Sequence, residues 1–118
     1  MNRLDWNTYF MLQAVIVSLK SKDPSTKVGC YIADEDNHPI STGYNGFPAK
    51  LDESQFTWAK DKSQPYHKTK YAYVHHAEEN AILHARDSLK GARLYVTLFP
   101  CNACAKMIIT KKLKKCTI

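Results

Sequence analysis

Two short stretches, 76–78 (HAE) and 100–104 (PCNAC), hold side chains that could together bind a metal ion and move a proton. Cys101 and Cys104 are three residues apart, so on a helix their sulfurs lie on the same side and can share one metal ion. We predict that each stretch begins a helix. The positive end of a helix dipole lowers the pKa of a thiol, which favours the thiolate that zinc requires.

His76 can supply a third ligand from the start of the other helix. Three protein ligands leave one tetrahedral position open for water, which is the arrangement of a catalytic zinc site. Glu78 follows His76 by two residues, and its carboxylate can take a proton from that water and return it to a substrate. The alternative is a closed structural site with a fourth ligand such as His75 or His84, but it leaves Glu78 without a task.

Length and composition limit the kinds of protein that this chain can be. Its 118 residues make one domain, 1–118, and 44% hydrophobic with 24% charged residues is an ordinary globular composition. No stretch is apolar for the roughly 18–20 residues of a membrane span, and the N-terminus lacks the apolar region of a signal peptide. We therefore expect a cytoplasmic protein that does not bind a membrane.

The charge and the remaining cysteines say less about function. A net charge of +6 favours anionic partners, either nucleotides or nucleic acid. Much of this excess lies at 111–115 (KKLKK), which is most simply a solvated turn after a helix. Cys30 lies within an apolar run and is expected to be a buried, inert thiol, and Cys116 carries no signal.

The elements that must position these side chains alternate between helix and strand. A first helix begins after Asp5 and ends at 22–24 (KDP), and its apolar second half predicts that it is well buried. Strands at 28–33 and 39–42 form a hairpin, followed by a glycine-containing loop at 43–48. Residues 49–74 read as a long loop with one short helix at 52–60. A helix at 77–86, a strand at 93–98, a helix from Pro100 to about 110 and a strand from Lys115 follow.

In order, the two stretches form H-x-E…P-C-x-x-C, the signature of zinc-dependent nucleobase deaminases. Four stretches resemble the successive motifs of the deoxycytidylate (dCMP) deaminase family: 21–29 (SKDPSTKVG), 43–48 (GYNGFP), 76–82 (HAEENAI) and 98–106 (LFPCNACAK). The opening of the chain is also similar, so the resemblance covers essentially its whole length.

The resemblance implies a fold, a reaction and roles for individual residues. It implies an α/β/α sandwich around a mixed sheet, and hydrolysis of dCMP to dUMP and ammonia, which supplies dUMP for thymidylate synthesis. One catalytic Zn²⁺ per chain is implied, with Glu78 as the proton shuttle. Asn45 is implied to touch the substrate's sugar and the backbone of Ala77 its pyrimidine. The zinc ligands implied are His76, Cys101 and Cys104.

The residues by themselves leave three other functions open. These are deamination of another cytosine nucleotide such as dCTP, deamination of a base in nucleic acid, and a non-catalytic zinc or nucleotide-binding role. Nucleic acid is the less favoured partner, because aromatic side chains interleaved with a basic groove are not evident in the sequence. A proton shuttle at Glu78 argues against the non-catalytic role.

Family resemblance also implies an oligomer, often a hexamer, that dCTP activates and dTTP inhibits, with Mg²⁺ accompanying a triphosphate. We place this control in the loop 43–48, where the backbone N–H groups of Gly43 and Gly46 could hold phosphate oxygens and Tyr44 could contact a base. Lys50 is close enough in sequence to add positive charge. A tight turn without a ligand is the alternative. Family members normally continue past the strand begun at Lys115 with a further helix and strand, so we expect either a continuation or a sheet edge completed by a neighbouring subunit.

Overall fold

The computed structural model describes residues 2–48 and 74–118. In these ranges the elements are α1 (Trp6–Ser18), β1 (Gly29–Ala33), β2 (Pro39–Tyr44), α2 (Ala77–His84), β3 (Arg93–Val96), α3 (Asn102–Thr110) and β4 (Lys115–Thr117). The predicted helix at 52–60, the long loop around it and Lys50 lie outside the described residues. No helix within the described ranges is both long and apolar enough to cross a membrane.

The four strands form one mixed sheet in the order β2-β1-β3-β4. The pairs β1–β2 and β1–β3 are antiparallel, whereas β3 and β4 run parallel. The hairpin between β1 and β2 turns where the sequence predicted it, because the Asp34 side chain accepts hydrogen bonds from the backbone of Asp36 and His38. The mixed sheet that the sequence predicted is confirmed.

Helices cover both faces of this sheet, which confirms the predicted three-layer α/β/α architecture. Side chains of successive strand residues point to opposite faces. Cys30, Ile32, Leu94 and Val96 belong to a core shared with α2 and α3. Tyr31, Ala33 and Tyr95 point to the opposite face, where they pack against Phe10 and Ala14 of α1.

The first helix differs from its prediction. Asp5 caps it as expected, with its carboxylate accepting a hydrogen bond from Thr8 N at 3.1 Å. However, the helix ends at Ser18, before the predicted stop, and it is not well buried: Ile16 is 59% and Leu19 69% exposed. A single stripe at four-residue spacing, made of Phe10, Ala14 and Ser18, meets the sheet, and no element within the described residues packs on the outer apolar side of the helix.

Close approach of α1 to the sheet depends on Gly29. A methyl group there would overlap the backbone of Ala14 and Ser18. The two later helices are shorter than predicted: α2 ends at His84, and α3 begins at Asn102 rather than at Pro100. The extended backbone of Cys101, with ψ of 172°, makes this cysteine the N-cap instead of a residue of the first turn.

Candidate active site

His76 and Cys101 occupy equivalent places in two different helices. His76 is the N-cap of α2 and Cys101 the N-cap of α3, each with extended backbone immediately before the helix. Cys104 lies in the first turn of α3 and is fully buried. The structure therefore brings together two helix starts that are 25 residues apart in sequence.

The three donor atoms of these residues fit a tetrahedral zinc ion. The Nδ1 atom of His76 lies 3.3 Å from Cys104 Sγ and 3.4 Å from Cys101 Sγ, and all three donors lie within 4.8 Å of one another. Tetrahedral zinc with ordinary Zn–N and Zn–S bonds separates such ligand atoms by about 3.5 Å. One imidazole and two sulfurs are also ligands that zinc prefers, so both the geometry and the chemistry fit.

Protonation of Cys104 differs from the sequence expectation. Burial, followed by the negative charge of Glu78, raises the pKa of the Cys104 thiol well above its usual range. The expected lowering by the helix dipole is therefore wrong for this thiol, because desolvation of the thiolate outweighs it. Zinc has to displace a proton to bind here, and its charge then compensates for the lost hydration.

Glu78 lies in the first turn of α2 and is buried, with 4% of its surface exposed. It lines an open cavity of about 350 Å³ that His76 and Cys101 also line. This volume is within the range of pockets that hold small molecules. A buried carboxylate at the wall of a cavity, beside a metal-ligand cluster, can move protons between water and a bound molecule.

Asn45 and Ala77 line the same cavity. The side chain of Asn45 also has a structural task, because its Oδ1 accepts a hydrogen bond from Val28 N at 2.9 Å and its Nδ2 donates one to Thr26 O at 2.9 Å. An amide side chain has one further donor and one further acceptor position, which can face the cavity. The fold thus places Asn45 at the wall of the cavity and also uses its side chain to tie the loop to residues 26 and 28.

The loop predicted to hold an effector is tightly bonded to the rest of the chain. The N–H groups of Asn45 and Gly46 donate to Val28 O and His75 O, at 3.3 and 3.1 Å. Gly43 belongs to β2 and is a glycine because α2 crosses directly over it. These amides are therefore not free to hold phosphate as the sequence suggested, while the Tyr44 ring is partly exposed.

His75 and His84 do not complete the ligand cluster. His75 Nδ1 lies 3.2 Å from Glu79 Oε2, and His84 Nδ1 lies 2.9 Å from the carbonyl oxygen of Asn80. Among the residues that the structure describes, the one group of possible metal ligands consists of His76 and the two cysteines. The structure thus favours three ligands with one open position over the closed site.

Several residues of the site were missed from the sequence. Ser25, Thr26 and Phe99 line the cavity, and Glu79 and Asn80 bond to the segments around it. All of them fall in the four stretches that resemble the deaminase motifs. Their roles depend on contacts between these stretches, which no single stretch shows by itself.

Comparison with known proteins agrees with this geometry. The family model described as "Cytidine and deoxycytidylate deaminase zinc-binding region" matches residues 4–118. A probable deoxycytidylate deaminase of Caenorhabditis elegans is 50% identical over 107 residues, which are 90% of this chain and 53% of that protein. The deoxycytidylate deaminase of Homo sapiens is 41% identical over 113 residues, with 95% of this chain and 63% of that protein covered.

Solved structures show the same fold. The apo dCMP deaminase of cyanophage S-TIM5 superposes with a TM-score of 0.75 at 25% identity, and the match covers 98% of this chain and 82% of that one. The chain spans between about half and two thirds of the length of the two curated relatives.

Proposed function

The chain belongs to the family of cytidine and deoxycytidylate deaminases with a zinc-binding region, and on this premise we propose that it hydrolyses dCMP to dUMP and ammonia. The observation that carries the proposal is that buried Glu78 lines the same cavity as His76 and Cys101, two of the three residues in the metal-ligand cluster. Relatives named deoxycytidylate deaminase, 41–50% identical, support dCMP as the substrate.

Zinc would be held by His76, Cys101 and Cys104. Bound there, zinc supplies the Lewis acidity that makes a water nucleophilic near neutral pH. The burial of Cys104 and the exposure of Cys101 mean that the cluster closes on the protein side and opens toward the cavity. A pyrimidine in the cavity can therefore reach the open side of the cluster.

Glu78 is the residue that moves the protons. Its carboxylate takes a proton from the attacking water and passes it to N3 of the pyrimidine as the new C4–O bond forms. It then takes the remaining proton of that water, now on the C4 hydroxyl group, and passes it to the amino group on C4. The C4–N bond breaks and ammonia leaves. Burial keeps the carboxylate away from bulk water, so its proton passes to the substrate rather than to solvent.

Two neighbours would orient the substrate. We assign contact with the sugar to Asn45, whose amide is held in place by Val28 and Thr26. We assign contact with the pyrimidine to the backbone of Ala77, a residue that lines the cavity next to Glu78. A rigidly held amide loses little entropy when it binds a substrate hydroxyl, which favours orientation.

The test is turnover of dCMP, dCTP, cytidine and single-stranded DNA by the purified chain, with zinc content measured in the same sample. We expect about one zinc ion per chain, release of ammonia from dCMP, and slower or no release from the other three. The Glu78→Gln variant is the matched control, because it keeps size and hydrogen bonding but cannot shuttle a proton. A zinc-loaded chain that prefers DNA, or that acts on none of the four, would overturn the proposal.

Finer properties of the family stay predictions for this chain. They are activation by dCTP and inhibition by dTTP with Mg²⁺, a homo-oligomer such as a hexamer, and a cytoplasmic location. Regulation is tested by the rate against dCMP concentration with and without dCTP: a sigmoidal curve that dCTP makes hyperbolic is expected. A hyperbolic curve that neither triphosphate changes would exclude regulation while leaving the deaminase proposal intact.

A further inference from the structure

The first turn of α2 carries a second glutamate, whose carboxylate bonds to the segment just before the helix. Glu79 directly follows Glu78, and successive residues of a helix point about 100° apart. Oε1 of Glu79 accepts a hydrogen bond from the backbone N–H of His76 at 3.2 Å. Oε2 lies 3.2 Å from His75 Nδ1, and both side chains are about one-third exposed. One carboxylate thus contacts two consecutive residues, of which the second is a metal ligand.

The same contacts reach the loop that carries Asn45. The backbone of His75 donates to Gly46 O at 2.8 Å and accepts from Gly46 N at 3.1 Å, which forms a short antiparallel bridge. Asn80 Nδ2 adds a hydrogen bond to Tyr44 O at 2.8 Å. The residues on both sides of Asn45 are therefore tied to the start of α2.

We propose that Glu79 is a positioning residue that fixes His76, through its backbone N–H, in the orientation that binds the metal, and that sets the distance between this ligand and the loop of Asn45. It acts on the backbone rather than on the imidazole ring. At an N-cap, the backbone conformation decides where the side chain points, and His76 is held at φ −71° and ψ 160°. The inference rests on the proposed zinc site.

Two substitutions separate the hydrogen bonds from the charge. Glu79→Ala removes both contacts, whereas Glu79→Gln keeps an oxygen that can accept from His76 N–H. Loss of a group that orients a metal ligand typically weakens metal binding by about 10–100-fold. We expect that loss for Glu79→Ala and wild-type affinity for Glu79→Gln, measured with Zn²⁺ in competition with a chromophoric chelator. Glu35→Ala, which removes an exposed glutamate from the β1–β2 turn, is the charge-matched control.

A readout of geometry distinguishes positioning from mere stabilisation of the helix. Saturation with Co²⁺ gives thiolate-to-metal and d–d absorption bands that report ligand arrangement. We expect altered bands for Glu79→Ala at full occupancy, and wild-type bands for Glu79→Gln. Unchanged bands in Glu79→Ala, or equal zinc affinity in Glu79→Ala and wild type, would overturn the inference. So would a Glu79→Gln variant as impaired as Glu79→Ala.

A third variant tests the link to the loop. Asn80→Ala removes the bond to Tyr44 without touching His76, so it should raise KM for dCMP while zinc affinity stays at the wild-type value. Loss of zinc affinity in Asn80→Ala would show that the whole first turn, and not Glu79, positions the ligand, and would overturn the assignment. If the wild-type chain binds zinc but does not turn over dCMP, the proposed function fails while the metal-binding tests of Glu79 still decide this inference.

Discussion

Replacement of Gly43 by alanine should disturb both the stability and the chemistry of the site, although this residue touches no substrate. A Cβ atom at position 43 would lie 3.0 Å from Ala81 Cα and closer still to Ala77 O and Ala81 N. Carbon atoms pack at about 3.5–4.0 Å, so α2 would have to move from the sheet by about 0.5–1 Å. Backbone atoms of a helix cannot turn aside as a flexible side chain can.

The magnitude follows from what moves with α2. Overpacking of this kind costs about 1–3 kcal/mol, and at roughly 4 °C per kcal/mol the unfolding midpoint should fall by about 4–12 °C. His76 and Glu78 at the start of α2 would shift relative to the cysteines of α3. Because a displacement near 1 Å can reduce catalysis by about 10²-fold, we expect kcat/KM for dCMP to fall by about that factor.

Gly46→Ala is the matched control in the same loop. Among the described residues, a methyl group there would meet the ring of Tyr44 alone, at an ordinary 3.8 Å, and Gly46 does not have positive φ. The change should be neutral, or stabilise by about 0.4–1 kcal/mol through the unfolded chain. Thermal unfolding and dCMP turnover of the two variants, measured side by side, decide the matter. Equal midpoints and equal kcat/KM for dCMP in both would refute the packing argument.

Three further outcomes are expected. Glu78→Gln should keep its zinc and its unfolding midpoint while turnover falls by about 10²–10⁴-fold, measured as ammonia release; activity close to wild type would remove Glu78 from the mechanism. Cys104→Ala should lose zinc and unfold at a lower temperature, as seen by metal analysis and calorimetry, and full zinc occupancy would contradict the ligand assignment. Because the raised pKa of Cys104 keeps its thiol protonated at neutral pH, zinc binding should release about one proton or more, and zinc affinity should fall as pH falls. Titration with zinc in weak buffer measures this, and proton-free binding would show a preformed thiolate.

Much of the fold could be predicted from the sequence because local chemistry decides it. The Asp34 turn fixes the hairpin, and the apolar run around Cys30 forms the fully buried strand β1. His76 and Cys101 lie at the two helix starts that the sequence predicted, each as an N-cap. The second helix begins at Asn102, two residues after the predicted Pro100. Spacing within the motif was sufficient to place Cys101 and Cys104 side by side, because an N-cap and the third residue of the same helix lie close together.

The errors concern quantities that depend on what packs against a segment. The burial of α1 was overestimated, because apolar residues such as Ile16 show a preference for burial but not whether another layer covers them. The pKa of Cys104 depends on desolvation by distant residues, and the role of Gly43 depends on where α2 crosses the sheet. None of these can be read from nearby residues in the sequence.

Glu78 and Glu79 show why position in the helix, rather than residue type, assigns the roles in this site. Both residues are glutamates, but one step along α2 turns the side chain by about 100°. Glu78 consequently lies buried at the cavity, whereas Glu79 reaches back to His75 and His76. An amide at position 78 removes the proton carrier, while an amide at position 79 still accepts the hydrogen bond that its task requires. The same Glu→Gln change should therefore greatly reduce turnover at position 78 and be tolerated at position 79. If the two carboxylates shared one electrostatic or one structural role, both positions would respond alike.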